Sequence, residues 1–556
     1  MQSGRKIPAW AFVMVISLLA SLAIVLPFFW LGSASGHDFE FHVASWLDVS
    51  YQWKEGILYP RWTAWTNHGF GEPRFIFYPP ISWMLGAALI LAVPLPWVPM
   101  CFVLLTQTLA GMCAYALLRR LASERAALLG AACYVVNPNA LLMTYIRSDF
   151  AEQLACAILP LALLGALKVT NLLEEKNGNR SSISAFALPF AAIWLCNAPA
   201  GVITSYAMAL LVAWVALTSR SWRVVWRGAA ALALGFGLIG FYLLPAAYEQ
   251  RWVNIAQALS SGLLPWQNFL FTAIPDVEHT WFNYIASFSA VLLILGMGFC
   301  ALASRRFAGR SSDLSELWNA LLVLGAGASL LMLHFTNTLW TYLPKLRFVQ
   351  FPWRWMSIVA LVYVCFLAPV LEKRRGWLAA VLILLLSVPF ALFLINNGWW
   401  DDEEMPLQQA AITNNTGFDG TDEYDPVGDD HTDLPAKALK AKVIVDDAEG
   451  ADGKDVTVKI LKWNTDQKEI VVEAQEESRL ALRILNYPAW RVEVNGKAVM
   501  PERMDDINQM VIPVEQGKSV IEIRFARTPD RVVGDIVSLL SVAILGAMFY
   551  LRRKNE

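Results

Sequence analysis

The chain is 556 residues long, carries 44 basic and 46 acidic residues for a net charge of −2, and is 56% hydrophobic and only 16% charged. Ordinary soluble domains are about 25% charged, so a soluble protein is excluded. The near-neutral balance excludes a bulk electrostatic binder of nucleic acid or anionic lipid. Several apolar runs approach the ~20 residues that a helix needs to cross about 30 Å of hydrocarbon, which predicts a polytopic α-helical membrane protein.

In chain order, Arg5 and Lys6 precede an apolar run at 10–31. It exceeds the ~7–15 residues of a signal-peptide core and reads as an uncleaved first span. Further spans are expected at 97–118, 126–143, 152–170, 184–197, 201–218, 228–247, 286–303, 317–334, 355–371, 377–396 and 533–551, about twelve in all. The stretch 81–93 is apolar but short, and runs of about 10–14 residues are more often re-entrant or interfacial than spanning. The positive-inside rule decides between the two. Only if 81–93 does not cross do Arg119/Arg120/Arg125, Lys176/Arg180, Arg220/Arg223/Arg227, Arg305/Arg306/Arg310, Lys373/Arg374/Arg375 and Arg552/Arg553/Lys554 all join Arg5 and Lys6 on the cytoplasmic side.

The chain therefore divides into a transmembrane domain 1–397, an outer β-rich domain 398–531 and a final helix with a basic tail, 532–556. The first domain includes a large first outer loop, 36–80, and an interfacial helix, 81–93. Alternating apolar residues predict strands at 441–446, 455–461, 469–474, 480–485, 490–494 and 519–525,. Asn495-Gly496 is a hairpin-turn signal after the fifth of these,. They predict a small β-sandwich. All seven cysteines fall inside apolar runs and read as small buried hydrophobes,.

Chemically capable residues gather on the outer side. His37, Asp38, Glu40 and His42 follow the first span directly. The oxygens of a D-x-E pair suit Mg²⁺ or Mn²⁺ beside a phosphate; equally, one carboxylate could serve as general base toward an acceptor hydroxyl. The imidazoles leave a zinc reading open, although closed zinc sites usually draw on spaced Cys/His pairs. Ordinary loop charges at a helix end are the plain alternative. The rest of the loop interleaves Arg61, Asn67, His68, Arg74 and Tyr78 with Trp46, Trp53, Trp62, Trp65, Phe70, Phe75 and Phe77. Such a mixture suits a sugar ring and a phosphate, and equally an aromatic belt at a membrane interface. Charge at bilayer depth is costly and tends to mark function. Arg147 and Glu152, Glu249, and Arg347 and Arg354 stand at outer helix ends. Their guanidinium forks suit a lipid-linked phosphate, or else interfacial anchoring and pairing with Glu152 or Glu249.

The motifs GHDFEFH, YPRW, NHGFGEPRFIFYPP, RSDFAE and QFPWRW together resemble a bacterial family of multi-span proteins labelled 6-pyruvoyl-tetrahydropterin synthase-related, itself similar to the GT-C superfamily of membrane glycosyltransferases. EYDP at 423–426 and NYPAWRVEVNGKAV at 486–499 resemble the outer domain of YfhO-like proteins. The pterin label names a soluble synthase fold, which does not suit a chain made mostly of spans. The resemblance implies a polyprenyl-phosphate sugar donor, an acidic motif just after the first span and interfacial helices in the first outer loop. Asp38 occupies the position of the catalytic or metal-binding acid, and Glu40 completes a D-x-D-like pair.

The resemblance thus sets up an expectation of hexosyl or pentosyl transfer to a glycan, lipid or protein acceptor at the outer face of the bacterial cytoplasmic membrane. Asp38 and Glu40 would be catalytic, and a divalent cation (Mg or Mn) would sit on Asp38, Glu40 and His42. Arg61, Asn67, His68, Tyr78, Arg147, Glu152, Glu249, Arg347 and Arg354 would bind substrate. The alternatives are a flippase of lipid-linked glycans and a noncatalytic glycan-binding scaffold. Transporters often show paired half-repeats and polar groups near the midplane, whereas the polar residues here crowd the outer ends.

Overall fold

A segment in hydrocarbon must satisfy its backbone hydrogen bonds internally, so the apolar runs close into helices. The computed structural model describes residues 9–173, 179–309, 311–400, 403–428, 434–444, 456–504 and 507–555. Arg5, Lys6, Lys176, Arg310, Asp401, Asp402, Asp446, Asp455 and His431 lie outside them. Among the described residues ten helices are long and apolar enough to cross a membrane: Trp10–Leu31, Leu95–Leu118, Glu124–Arg147, Phe150–Val169, Ala198–Ser219, Val277–Arg306, Ser312–Leu331, Pro352–Leu371, Gly376–Asn397 and Pro529–Leu551. The span expected at 228–247 is a broken pair, Trp222–Leu238 and Gly240–Trp252, bent by 77°. The one expected at 184–197 falls on a shorter apolar helix, Ser182–Cys196. Among the described residues the count is ten, or eleven if the broken pair is one span, beside the shorter apolar helix, in keeping with about twelve expected. Beyond the break, a Cβ on Gly534 would meet the Gly240 carbonyl oxygen at 2.6 Å, so the final helix and the chain's bent helix touch backbone to backbone, as small residues permit.

The 13-residue helix Pro80–Ala92 is about 20 Å long at 1.5 Å per residue, well short of the hydrocarbon core. Phe29, at the end of the first span, lies 5.8 Å from Trp97, at the start of the second. The chain therefore returns to the end of the bundle it left.

That end gathers the loops. Ala34 bridges to Trp400 and Val253 to Pro426, and Trp281 Nε1 donates to Asn397 Oδ1 at 3.1 Å. The opposite end carries basic clusters: Arg227 donates to the Lys168 carbonyl at 3.0 Å and to Ser182 Oγ at 2.9 Å.

The domain before the final helix is a two-sheet β-sandwich. Its strands are β1 (Ala441–Ile444), β2 (Val456–Trp463), β3 (Gln467–Ala474), β4 (Ser478–Leu485), β5 (Trp490–Val494), β6 (Lys497–Val499), β7 (Glu502–Arg503), β8 (Gln509–Val514) and β9 (Gly517–Phe525). One sheet runs β1-β4-β8-β7 and the other β2-β3-β9-β5-β6, antiparallel throughout. Asn495 and Gly496 take left-handed φ of 52° and 75° in the β5-β6 hairpin, as a two-residue turn of this kind requires.

Trp62, Phe70, Ile76 and Phe77 of the first outer loop are part of the sandwich's core. Trp62 packs on Tyr487, Trp490 and Phe525 with ring centroids 5.4–5.7 Å apart. These loop residues therefore serve as packing between two domains.

Lys468 is buried in the same domain, with Nζ donating to the Thr465 carbonyl at 2.7 Å and lying 4.2 Å from the Trp490 ring. Burial pushes its ammonium down to about 7 from 10.5. Between those values the unfolded chain binds the extra proton, so stability rises with pH across the window and is lowest below about 7. Lys468→Met is expected to raise the melting temperature of the purified protein more at pH 6 than at pH 9. Equal shifts at both pH values would contradict a buried ammonium.

Candidate active site at the loop end of the bundle

The site is built where the span Glu124–Arg147 is interrupted. Pro138 lacks an N–H and stands at the first position of a restarted helix,. The Asn137 side chain accepts from the N–H groups of Asn139 at 2.9 Å and Ala140 at 3.2 Å, the usual N-cap arrangement. The helix then ends in a π-type turn, Met143–Arg147, followed by Ser148 at φ 50°. A left-handed serine is uncommon, and π-turns recur at functional sites.

The first outer loop is laced onto this turn. Gly36 N–H donates to Ser148 Oγ at 3.0 Å, Ser148 Oγ donates to the Ala34 carbonyl at 2.7 Å, and Asp38 N–H donates to the Arg147 carbonyl at 3.0 Å. A Cβ on Gly36 would stand 2.1 Å from the Ile146 carbonyl oxygen, so only glycine fits. Gly36→Ala is expected to cost about 1–3 kcal/mol through overpacking, read as a lower melting temperature; an unchanged one would contradict this lacing.

The result is a cluster of charges, most of them buried. Arg147 donates through Nε to Asp38 Oδ2 at 2.8 Å, with a second, very short contact through Nη2, and reaches Asp149 Oδ2 at 3.2 Å. Arg354 lies 3.5 Å from Asp149 Oδ2 and, through Nε, 2.8 Å from Glu152 Oε2. His42 Nε2 is 3.6 Å from Asp149 Oδ1. Burial alone would raise the Asp149 pKa, but His42, Arg147 and Arg354 hold it well below the usual carboxylate range. Asp149 also caps the next helix, accepting from Glu152 N–H at 2.9 Å.

Asp38 is the open member. Its side chain is 34% exposed, against 3% for Arg147, 4% for Asp149 and 2% for Glu152. Both Arg147 hydrogen bonds to Asp38 fall on Oδ2 and not on Oδ1. Arg147 Nη1 is buried with no hydrogen-bond partner, its guanidinium lying 5.0 Å from the Trp353 ring. An unsatisfied buried donor costs about 1–3 kcal/mol, and more if charged.

A cavity of about 770 Å³ opens between helices, walled by Pro138, Ile285, Phe288, Tyr363, Pro389 and Phe393. Trp281 also lines it, and the adjacent Phe282 packs on His37 at 4.7 Å and Trp353 at 5.5 Å. Phe282 and the charged residues of the cluster are not themselves part of its lining.

The other sequence candidates lie in different places. Tyr78 packs on Phe41 at 4.7 Å and His42 at 6.0 Å, beside the cluster. Glu40 is exposed two residues after Asp38, on the first turn of the helix Phe39–Lys54. Arg347 is exposed over Phe348. His68 faces Asp419 at 3.4 Å. Asn67 joins a second buried network with Glu72, Arg74 and Asp425: Arg74 Nε donates to Glu72 at 2.6 Å, and Asn67 Nδ2 to Asp425 in a very short contact. Burial holds the Glu72 carboxyl above its usual range. Thr421 N–H donates to Glu72 at 2.9 Å, so this network straps segment 417–426 to the first loop. Glu249 is fully buried and bound by Arg531 at 2.8 and 2.9 Å and by Tyr487 Oη at 2.6 Å. Arg61 is half-buried near it, over the Tyr59 ring at 4.4 Å. The structure therefore brings Asp38, His42, Tyr78, Arg147, Glu152 and Arg354 together and leaves Arg61, Asn67, His68, Glu249 and Arg347 in other settings.

The donor set does not fit a resident cation. Asp38 is held by a guanidinium, which repels a metal ion, and among the described residues no group of three or more His, Cys, Asp or Glu side chains is placed to hold one.

A family model described as "6-pyruvoyl-tetrahydropterin synthase related domain; membrane protein" matches residues 75–399. No curated protein sequence matches the chain. Among solved structures it is similar to ArnT from Cupriavidus metallidurans bound to undecaprenyl phosphate, at 13% identity and TM-score 0.44, over 67% of this chain and 62% of that one. It is also similar to the arabinofuranosyltransferase AftD from Mycobacteria, at 16% identity and TM-score 0.42, over 70% and 26% of the two chains. A third is the oligosaccharyltransferase AglB from Archaeoglobus fulgidus in complex with an inhibitory peptide and a dolichol-phosphate, at 16% identity and TM-score 0.44, over 70% and 55%. The aligned part spans less than two thirds of each of these proteins.

Proposed function

The chain belongs to the 6-pyruvoyl-tetrahydropterin synthase related family of membrane proteins, and on that premise we propose that it is a glycosyltransferase moving a sugar from a polyprenyl-phosphate donor to an acceptor hydroxyl at the outer face of the bacterial cytoplasmic membrane. The observation that carries this reading is Arg147. It ties a half-open aspartate to a buried acid cluster and keeps Nη1 without a partner.

The polyprenyl chain would occupy the cavity and its phosphate would meet Arg147 Nη1, a charge-assisted contact. Asp38 Oδ1 accepts the proton of the acceptor hydroxyl as its oxygen attacks the anomeric carbon. The bond from that carbon to the phosphate oxygen breaks, and the polyprenyl phosphate leaves with the electron pair. Glu152 and Asp149 keep Arg354 and Arg147 oriented, so the positive charge stands ready where negative charge develops. No step needs an ion, and transfer in purified membranes is expected to be unaffected by exhaustive chelation. A loss of activity restored by added Mg²⁺ or Mn²⁺ would overturn the metal-free scheme.

Mass spectrometry of lipid-linked sugars in cells with and without the protein tests the function. The expected result is accumulation of one polyprenyl-phosphate sugar in its absence; an unchanged lipid-linked pool together with unchanged envelope glycans would contradict it.

A further inference from the structure

A second polar pocket lies at the joint between the first outer loop and the β-sandwich. It is lined by Trp65, Trp463, Lys440, Lys468, Arg483 and Glu55. Glu55 is taken up by Thr465, which donates its N–H at 3.0 Å and its hydroxyl at 2.8 Å. None of the three cations has an ion pair among the described residues. Arg483 is held by Asn415, at 3.0 Å to its carbonyl and 2.7 Å to its side chain. Yet Arg483, 3% exposed, keeps a buried Nε without a partner, and so does the Trp65 indole Nε1. Buried donors are normally satisfied. Two orphans on one pocket with three cations point to an anionic ligand.

The free volume of about 50 Å³ is several times the ~10–15 Å³ that one water needs on the same measure, which leaves room for a carboxylate or phosphate substituent. Trp463 is half-buried beside it, offering an aromatic face for a sugar to lie against while Lys440 and Lys468 stand over that same ring at 5.8 and 5.7 Å. The helix Phe39–Lys54 separates the pocket from Asp38; its 16 residues span about 24 Å,. One sugar cannot occupy both places.

We propose that this pocket holds an anionic glycan segment, a remote stretch of the acceptor polymer that bears a carboxylate or phosphate. The proposal rests on the transferase reading for the word acceptor, while its test is binding alone. Full-length protein in nanodiscs would be titrated with hexagalacturonate, with a neutral cellohexaose and with a hexaglutamate peptide. Arg483 is buried and its replacement endangers folding, so the variant used is Lys440→Glu, at a half-exposed side chain with no hydrogen bond among the described residues. Hexagalacturonate is expected to bind, to weaken about tenfold in Lys440→Glu and with rising salt, and to bind Asp38→Asn as it binds the unaltered protein. Absence of binding, undiminished binding by Lys440→Glu, or equal binding of cellohexaose overturns the proposal. Equal binding of the peptide would overturn it in favour of a protein ligand. Retained hexagalacturonate binding in a protein that transfers no sugar would remove the transferase reading and leave this site standing.

Discussion

Asp38→Asn is expected to lower glycosyl transfer about 10²–10⁴-fold, the usual contribution of a positioned general base, with the melting temperature nearly unchanged. The amide keeps the shape of the carboxylate but cannot take the acceptor's proton. The structural cost is small because Asp38 is the most exposed member of its cluster, and Arg147 retains Asp149 at 3.2 Å. Activity loss with intact folding separates a reacting group from a structural ion pair. Full transfer by Asp38→Asn in membranes would overturn the assignment.

Glu249→Ala is expected to destabilise the protein by about 3–5 kcal/mol, the cost of leaving a buried charge without its partner. Glu249 is fully buried and receives Arg531 Nε and Nη2, Tyr487 Oη and, at 3.4 Å, Thr528 Oγ1. These donors come from the β-sandwich and from the start of the final helix, while Glu249 ends the bent helix of the bundle. The substitution therefore unpins three elements at once. It should lower the melting temperature and expose the segment 398–528 to proteolysis; a variant with unaltered melting and protease resistance would show that the joint is held by apolar packing alone.

Topology was readable in the sequence because it depends on charge and length. Thirteen apolar residues cannot span hydrocarbon, and the basic clusters agree on one side only if 81–93 stays out,. That parity brought Asp38, Arg147, Glu152 and Arg354 to one end before any contact was known. The central acid was hidden. Asp149 stands directly before a helix and reads as an N-cap, and it is one, so nothing in its local pattern shows that it also bridges two arginines. Glu72, beside Arg74, reads as a solvated loop pair, whereas segment 417–426 covers it completely. Trp62 and Phe70 could not reveal their partners, since interface belts and domain cores use the same aromatics.

Strand β8 was missed for another reason. Met510, Val511 and Ile512 are buried in succession and Pro513 follows, so alternation does not mark a strand and the proline argues against one. Its pairing with β4, Pro513 opposite Arg479, is a tertiary fact. The bend of 77° after Leu238 is accompanied by a close approach of Gly240 to Gly534, far along the chain, a partner that the local sequence does not name.

The most direct measurement is a single-turnover experiment on the purified chain in proteoliposomes, with a radiolabelled polyprenyl-phosphate sugar in the bilayer and acceptor glycan outside. Label is expected to leave the lipid and appear in the acceptor in equal amount, with Asp38→Asn blocking both. Label that crosses the bilayer still attached to its lipid, at the same rate in Asp38→Asn and with none in the acceptor, would contradict the account and make the protein a carrier of lipid-linked sugars.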